Sequence, residues 1–455
     1  MSVPAPFDRG VIVAGAGVSG TGIAALFRSL GVPVVIADDR ATGEGIITTD
    51  EARSHFSSVG AVVTSPGWRP DSPLLVDASF ASLPVLGDVE ACYRLDRAGV
   101  FGEPRDWLVV TGTNGKTTTT GMLAAMMQQA GKDSGKTAVA CGNIGVAVAD
   151  ALLSPERVDV LVAELSSFQL FWSDQLVPDA GVLLNLAEDH IDWHGTFSHY
   201  AEAKARVLKA PHAVAGADDA HVRDLVAATG REDIIGFTLA EPGPRQVGVK
   251  DGRIVADLGG AAFDVASAEG IEPVGAAGVY DALAATAVAL TQGARPEHIQ
   301  AALAEYRVEG HRGAVVHSAG GVAWVDNSKA TNPHAADSAL TGAGTVVWIA
   351  GGQLKGAEVD QLIADHANQF RAVALLGADR AVLQDALTRL APEVPVFATA
   401  STDPDAAMEE VVAFAAAHAQ PGDTVLLAPA AASLDMYSGM SARGDAFAAA
   451  AMRHC

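Results

Sequence analysis

The segment "WLVVTGTNGKTTTTGML", residues 107–123, constrains the fold more than any other part of the chain. An apolar run typical of a buried strand leads into a glycine-lysine-threonine loop, and a helix-forming stretch follows. The standard pattern G-x-x-x-x-G-K-[ST] would place its first glycine at residue 110, which is valine here, so Gly112 opens a shorter loop. Lys116 can reach terminal phosphates, and the Thr117 hydroxyl is available to Mg²⁺. The loop predicts ATP binding by Gly112, Thr113, Asn114, Gly115, Lys116, Thr117 and Thr118.

A second glycine-rich loop lies near the start of the chain, in "VIVAGAGVSGTGIAAL" at 11–26. Its glycines form a G-x-G-x-x-G pattern between a strand and a helix, which permits close approach to a diphosphate at the helix N-terminus. The next apolar run, "PVVIADDR", ends in Asp38, Asp39 and Arg40, and acidic side chains at that position can bind ribose hydroxyls. Taken alone, the pattern fits a nicotinamide site, another nucleotide-sugar or flavin site, or a tight structural turn.

Apolar runs rich in β-branched residues alternate with alanine-rich stretches along the chain, as in "VIVAG", "WLVVTG", "VDVLVAELS", "TVVWIAGG" and "DTVLLAPA". This alternation predicts an α/β protein with parallel sheets. A length of 455 residues suggests about three domains. Composition changes near 95–107 and 306–316 predict domains at 1–98, 99–311 and 312–455.

The charge balance limits the classes of partner. With 30 basic and 54 acidic residues, the formal net charge is -24, which argues against binding to a nucleic-acid backbone. Three cysteines form no metal pattern and no even disulfide set, as expected in a reducing compartment. The N-terminal segment lacks the features of a signal peptide, and no apolar run reaches the roughly 20 residues of a membrane span. We therefore expect a cytoplasmic protein with no membrane partner.

Three further residues are candidates for catalysis or metal binding. Glu164 directly follows the run "VDVLVA", where a carboxylate meets the nucleotide edge of a parallel sheet, although a structural glutamate at a helix N-terminus fits equally well. His190 ends "GVLLNLAEDH", and a lone histidine is more often structural than catalytic. Lys204 in "YAEAKARVL" has the position of a solvated helix lysine.

The phosphate loop together with several other motifs resembles the Mur ligase family, the ATP-dependent enzymes that build the peptide of bacterial cell-wall precursors. The motifs are "TGTNGKTTTT", "CGNIG" at 141–145, "ELSSFQL" at 164–170, "NLAEDHIDWHG" at 185–195, "DNSKATNPHA" at 326–335, "GGQLKGA" at 351–357 and "LLAPAAASLDMY" at 426–437. They are most similar to the members that add D-glutamate to UDP-N-acetylmuramoyl-L-alanine. The resemblance implies three domains, the outer two Rossmann-like and the central one a P-loop ATPase. It also implies that ATP and Mg²⁺ support amide formation through an acyl phosphate.

The resemblance also answers why the chain has two glycine-rich loops, because one would bind ATP and the other the uridine diphosphate of the precursor. It disfavours a nicotinamide dehydrogenase, which has no use for Lys116 and Thr117. Folylpolyglutamate synthase, which shares this type of phosphate loop, remains an alternative, but the N-terminal glycine-rich domain counts against it. A monomer is expected.

Residue roles follow from the same resemblance. The implied catalytic residues are Lys116, His190 and Lys204, and the implied Mg²⁺ ligands are Thr117, Glu164, His190 and a carbamylated Lys204. Precursor binding is assigned to Gly17, Val18, Ser19, Asp38, Asp39, Arg40, Gly67 and Asn143. Further ATP contacts are Asp281, Arg312 and Asn327, and D-glutamate contacts are Lys329, Thr331, Lys355, Ser433 and Met440. Asp281 stands where the family commonly has asparagine, and Met440 where it has an aromatic residue, so both contacts depart from the family pattern.

Overall fold

The computed structural model describes residues 3–143, 145–308 and 310–454. The chain is an α/β protein with three sheets, as predicted. It divides into two compact units. The first comprises Met1–Glu269 and Asp281–Ala304, and the second comprises Gly270–Tyr280 and Glu305–Cys455.

The N-terminal sheet has five parallel strands in the order β3-β2-β1-β4-β5. Its strands are β1 (Val11–Ala14), β2 (Val34–Ala37), β3 (Ile46–Ile47), β4 (Ala61–Thr64) and β5 (Val85–Gly87). Its helices are α1 (Val18–Ser29), α2 (Thr49–Ala52), α3 (Pro73–Phe80) and α4 (Asp88–Arg97). Every residue of β1 and β4 is buried, which is expected for parallel strands covered on both faces.

The central sheet has nine strands in the order β14-β13-β12-β11-β10-β9-β6-β8-β7. They are β6 (Asp106–Thr111), β7 (Ala138–Gly142), β8 (Val160–Glu164), β9 (Ala180–Leu183), β10 (His212–Gly216), β11 (Ile235–Phe237), β12 (Gln246–Lys250), β13 (Arg253–Asp257) and β14 (Phe263–Ser267). Only the β12–β13 and β13–β14 pairs are antiparallel. The helices that follow β6 in the chain are α5 (Lys116–Ser134), α6 (Val148–Leu152), α7 (Ser167–Phe171), α8 (Ile191–His194), α9 (Phe197–Ala205), α10 (Ala220–Thr229), α11 (Ala276–Thr291) and α12 (Pro296–Glu305).

The first two sheets belong to one compact unit because buried polar contacts join them. Asp96 at the end of α4 forms a buried ion pair with Arg105, with 2.6 Å between Oδ1 and Nη1. The indole Nε1 of Trp107 in β6 also donates to Asp96 Oδ2 at 3.0 Å. A shared apolar core runs across both sheets. The predicted domain boundary at residue 98 therefore lies beside a tightly packed junction between the first and second sheets. The domain boundaries themselves stay a prediction.

The third sheet has six strands in the order β15-β16-β20-β17-β18-β19, and only the β15–β16 pair is antiparallel. Its strands are β15 (Ala314–Ala319), β16 (Val322–Asp326), β17 (Val346–Gly351), β18 (Phe370–Leu376), β19 (Val396–Ala398) and β20 (Thr424–Leu427). Its helices are α13 (Pro333–Leu340), α14 (Asp360–His366), α15 (Arg380–Leu390), α16 (Pro404–His418) and α17 (Met440–His454). Apolar clusters pack on both faces of this sheet. Within the described residues, no helix is both long and apolar enough to cross a bilayer.

Candidate active site

The phosphate loop joins the carboxyl end of β6 to the first turn of α5. Gly115 adopts a left-handed conformation with φ +81°, and a Cβ at this position would lie 2.2 Å from Asp281 Oδ1. Glycine is therefore required both for the turn and for the close approach of the carboxylate. Lys116 Nζ donates to the carbonyl oxygens of Gly112 (3.0 Å) and Thr113 (2.7 Å). The lysine thus lies directly against the loop that is predicted to bind phosphates.

Glu164 lies beside this loop because β8 pairs with β6, so that Glu164 is opposite Val110. Its side chain is only 2% exposed. The Thr117 hydroxyl donates to Glu164 Oε2 at 2.7 Å, and Asn143 Nδ2 donates to Glu164 Oε1 at 3.1 Å. The structure therefore brings together three residues that the sequence assigned separately to ATP, metal and precursor.

Lys204 is 2% exposed, so it does not occupy the solvated position that its place in helix α9 suggests. Its Nζ donates to Gly112 O at 2.7 Å and to Thr111 Oγ1 at 3.4 Å. Burial holds the pKa of Lys204 well below that of a free lysine, and the charge of Lys116 acts in the same direction. The site therefore favours the neutral amine.

His190 precedes helix α8 in a left-handed conformation with φ +54°. Its side chain is 46% exposed, and its Nε2 lies 3.5 Å from Asp189 Oδ2. The ring packs on Phe168 with 4.7 Å between centroids. Burial lowers the pKa of His190 below its usual range, while Asp189 opposes this shift. A neutral imidazole near Lys116 and Lys204 can bind a cation or accept a hydrogen bond.

The first glycine-rich loop borders a cavity of about 390 Å³. Six of the predicted precursor residues line it, namely Gly17, Val18, Ser19, Asp38, Gly67 and Asn143. Asp38 accepts hydrogen bonds from the backbone N–H groups of Ala16 (2.9 Å) and Arg40 (2.8 Å), which lower its pKa. Asp39 and Arg40 are not among the lining residues, and the Asp39 carboxylate instead accepts from the N–H and hydroxyl of Thr49.

The remaining predicted residues lie in the second unit, apart from Asp281. Arg312 precedes β15, Asn327 follows β16, and the Asn327 N–H donates to Leu427 O at 2.9 Å. The predicted D-glutamate contacts lie in loops after strands or at the start of α17, namely Lys329, Thr331, Lys355, Ser433 and Met440.

Arg443 in α17 connects these loops. It is 1% exposed and donates to Ser328 Oγ (3.0 Å), Ser328 O (2.9 Å), Gly351 O (3.2 Å) and Ala431 O (3.1 Å). Burial lowers the pKa of Arg443 to about 10. The guanidinium group therefore holds together the loops that carry Lys329, Lys355 and Ser433.

No group of three or more His, Cys, Asp or Glu side chains has a metal-binding arrangement in the part of the chain that the structure describes. Oxygen ligands adjacent to the phosphate loop are present, however, because the Thr117 hydroxyl and the Glu164 carboxylate are 2.7 Å apart. A hydroxyl and a carboxylate suit Mg²⁺, which usually takes few protein ligands and completes its shell with phosphates and water. The donor set therefore fits this ion.

Several site residues were not identified from the sequence. Ser65 and Trp68 line the cavity. Tyr200 Oη lies 2.8 Å from Thr113 Oγ1, and Asn185 Oδ1 accepts from Asn114 N at 2.8 Å. Ser65 directly follows β4, and Asn185 lies two residues after the end of β9. Their position at the carboxyl ends of parallel strands is the signal that could have found them.

Comparison with known proteins gives matches over nearly the whole chain. The Mur ligase middle domain matches residues 110–289, and the Mur ligase glutamate ligase domain matches residues 311–431. The UDP-N-acetylmuramoylalanine--D-glutamate ligase of Corynebacterium efficiens is 58% identical over 451 residues, covering 97% of this chain and 94% of that protein. The proteins of the same name from Corynebacterium diphtheriae and Mycolicibacterium smegmatis are 55% and 43% identical, each over 98% of this chain and 96% and 97% of their own.

Solved structures agree in fold. Acinetobacter baumannii MurF is 16% identical with a TM-score of 0.59, covering 95% of this chain and 98% of its own. Thermotoga maritima UDP-N-acetylmuramate-alanine ligase MurC is 17% identical with a TM-score of 0.57, covering 98% of this chain and 100% of its own. At these identities, the likeness concerns the fold alone.

Proposed function

Since this chain belongs to the Mur ligase family, we propose that it joins D-glutamate to UDP-N-acetylmuramoyl-L-alanine with ATP as the energy source. One observation carries the proposal: 58% identity, over nearly the full length of both chains, with a ligase named for this reaction. The cluster of half-buried Lys116 with buried Glu164 and Lys204 beside the phosphate loop supports it.

The cavity beside the first glycine-rich loop is the proposed site of the precursor's uridine diphosphate. The N-terminus of α1 offers unpaired backbone N–H groups and a positive dipole end to phosphate oxygens. Asp38 suits hydroxyl groups of the ribose, because its carboxylate is held as an acceptor. Asn143 borders the same cavity and also contacts Glu164, so it connects the precursor site with the phosphate loop.

The chemistry begins with the precursor's carboxylate. One of its oxygens attacks the γ-phosphorus of ATP, the bond to the β-phosphate oxygen breaks, and ADP leaves. The amine of D-glutamate then attacks the acyl carbon, phosphate departs with the carboxylate oxygen, and the amine loses a proton. Such phosphoryl transfer depends on positioning and on positive charge near the transferred group. Lys116 supplies that charge from the start of α5.

Thr117 and Glu164 are the residues that would hold Mg²⁺, with His190 and Lys204 next to them. The ion would neutralise phosphate charge. We propose that the Lys204 amine is carbamylated by CO₂, because a buried neutral amine is the form that reacts and its product carries carboxylate-like oxygens. His190 is the proposed contact for a second Mg²⁺, separate from the ion at Thr117 and Glu164, or for the acyl phosphate.

D-glutamate has two carboxylates, which require several cationic or hydroxyl donors. We assign this role to Lys329, Thr331, Lys355 and Ser433 in the second unit. Met440 is proposed as an apolar wall of the same pocket, in place of an aromatic side chain; it is 37% exposed at the start of α17. Arg312 and Asn327 are proposed ATP contacts.

Asp281 is the second departure from the family pattern. Its carboxylate lies against the Cα of Gly115, so its place beside the phosphate loop is compatible with a nucleotide contact. We propose that it accepts a hydrogen bond from the nucleotide, which a carboxylate does as readily as an asparagine oxygen. We further propose that the protein acts as a monomer in the cytoplasm.

The proposal is tested by measuring phosphate release from ATP with each substrate omitted in turn. Release should require both UDP-N-acetylmuramoyl-L-alanine and D-glutamate, and the product should gain one glutamate by mass. L-glutamate serves as the matched control and should give little product. Release that continues without the precursor, or product formation with another amino acid in place of D-glutamate, would contradict the assignment.

A further inference from the structure

His194 is the last residue of α8, and its side chain is buried. Its Nε2 lies 3.0 Å from the hydroxyl of Ser167 at the start of α7, and the two groups form a buried hydrogen bond. The other ring nitrogen, Nδ1, is also buried and has no hydrogen-bond partner among the described residues. Within that part of the chain, the bond to Ser167 is therefore the only hydrogen bond of this imidazole.

Aromatic rings of α7, α8 and α9 pack against the same imidazole. It stacks on Phe168 of α7, with 5.6 Å between centroids and 9° between ring planes. Trp193 of α8 and Tyr200 of α9 meet it edge-on at 4.6 and 5.5 Å. His194 thus joins three consecutive helices at one point, through geometries that aromatic pairs prefer.

Each of these helices is connected to a residue that we assign to the metal site. Helix α7 begins three residues after Glu164, α8 directly follows His190, and α9 contains Lys204. The ring of His190 packs on Phe168 with 4.7 Å between centroids, so both imidazoles contact the same phenyl ring. The orientation of Phe168, set by His194, therefore determines where the ring of His190 can lie.

His194 can do this without carrying charge. Burial lowers the pKa of His194 to about 4, so the ring is neutral at physiological pH. Loss of the Ser167 hydroxyl would leave both ring nitrogens buried without a protein partner, which favours rotation of the ring away from its present position.

We propose that His194 is a positioning residue of this ligase, whose hydrogen bond to Ser167 and stacking on Phe168 hold His190 in the orientation that the reaction requires. This inference rests on the proposed function, because it takes His190 as the contact for a second Mg²⁺ or for the acyl phosphate. Neither His194 nor Ser167 needs to touch a substrate in this role.

The kinetic test uses three substitutions of graded severity. Ser167→Ala removes only the hydroxyl, His194→Phe keeps a ring but no nitrogen, and His194→Gln restores a neutral polar group near the position of Nε2. The first two should each lower kcat about ten-fold or more, as expected when a residue that orients a metal contact is lost. KM for D-glutamate should change less than about two-fold, since its proposed contacts are unaltered. His194→Gln should recover part of the lost rate.

The same substitutions in a His190→Ala background determine whether His194 acts through His190. Ser167→Ala should lower kcat no further there, because the positioned group is absent. The double variant Ser167→Ala/His194→Phe should likewise be no slower than the slower single variant. His221→Phe is the control, because it changes an exposed histidine that contacts only the ring of Phe197 among the described aromatic pairs, and it should keep the wild-type kcat.

Spectra of the protein without ATP and Mg²⁺ test the position of His190 independently of activity. With ¹³C-labelled histidine, the ring signal of His190 is assigned by its loss in His190→Ala. This signal should shift in Ser167→Ala, which alters no ring, and should stay in place in His221→Phe. Thermal unfolding shows which variants fold. If His194→Phe melts far below the wild type, Ser167→Ala carries the test.

The outcomes separate this inference from the function on which it rests. If the wild type makes no product from the precursor and D-glutamate, the proposed function fails and the inference fails with it. If the wild type is active but Ser167→Ala keeps its rate and its His190 signal, only the inference fails. An undiminished loss of kcat in the His190→Ala background would also overturn it, because His194 would then act on another group.

Discussion

At the residue scale, Lys204 shows how burial changes what a lysine can do. Its amine is enclosed beside the phosphate loop, with Gly112 O as its nearest acceptor. The nearby charge of Lys116 adds to the burial and disfavours the ammonium form. From the sequence, this residue looked like a solvated helix lysine, because its burial results from the packing of α9 under the phosphate loop and not from the helix pattern.

Lys204→Ala should lower the rate of product formation roughly 100-fold or more, because it removes an anionic group near the transferred phosphate. Added acetate should restore part of the activity by replacing the lost carboxylate. Lys209→Ala, which alters an exposed lysine five residues later, is the control and should behave as the wild type does. Activity is measured by phosphate release with and without acetate. A near-normal rate for Lys204→Ala would contradict the carbamate.

Asp88 is a source of pH-dependent stability in the acidic range. Burial raises the pKa of Asp88 to about 6, and its Oδ1 has no hydrogen-bond partner. The folded state therefore holds this proton more tightly than the unfolded state, whose aspartate pKa is near 3.8. Stability contributed by the protonated form is present below about pH 4 and is lost as the pH rises through about 6, by up to about 3 kcal/mol.

Asp88→Asn should therefore raise the melting temperature at pH 7.5 and have little effect at pH 4. Thermal unfolding across this range measures the difference. Asp224→Asn, at an exposed position on α10, is the control and should shift the melting temperature little at either pH. A shift of equal size at both pH values would mean that ionisation of Asp88 is not its cause.

At the scale of elements, α17 organises the loops of the second unit through Arg443. The phosphate loop could be read from sequence because its glycines and lysine are close together. The role of Arg443 could not be predicted, because Ser328 and Gly351 lie 115 and 92 residues away in the chain. Three of its four hydrogen bonds, including the one to nearby Ala431, also go to backbone oxygens. Every residue has a backbone carbonyl oxygen, so the residue types do not indicate which of them accept these hydrogen bonds. The acceptors are identified only from the folded structure.

Arg443→Met should destabilise the protein by about 3 kcal/mol or more, because a side chain of similar length leaves buried oxygens without their donor. It should also raise KM for D-glutamate more than KM for ATP. Denaturant unfolding and steady-state kinetics measure these effects. Arg453 lies on the same helix as Arg443 and forms a solvent-accessible pair with Glu409 of α16. Arg453→Met should change stability by about 0.5 kcal/mol or less. Equal effects of the two changes would remove Arg443 from this role.

The antiparallel strands β12, β13 and β14 occupy a region whose role was not apparent from the sequence. The turn between the first two contains Asp251 and Gly252 with φ +50° and +71°. An Asp-Gly pair with both φ values positive is typical of a two-residue hairpin turn. The Asp-Gly pair was visible in the sequence but is only two residues long. The parallel strands elsewhere were predicted from their longer apolar runs.

At the scale of the whole molecule, the α/β class and the three sheets were predictable because strand and helix patterns alternate throughout. The packing of the first two sheets against each other could not be predicted from the sequence. The charged segment 95–107 predicted a domain boundary, but Asp96 and Arg105 form a buried pair within it. A charged residue in the sequence predicts an exposed side chain only when the fold provides no oppositely charged partner for it.

The proposed reaction requires that the precursor's carboxylate is phosphorylated before D-glutamate attacks. It is tested most directly with precursor labelled with ¹⁸O in both oxygens of the alanine carboxylate. Amide formation through an acyl phosphate must transfer one labelled oxygen to the released phosphate, since that oxygen bridges carbon and phosphorus. Mass spectrometry of the phosphate should therefore show one ¹⁸O for each amide formed. Unlabelled phosphate accompanying the same amount of product would show that no acyl phosphate forms.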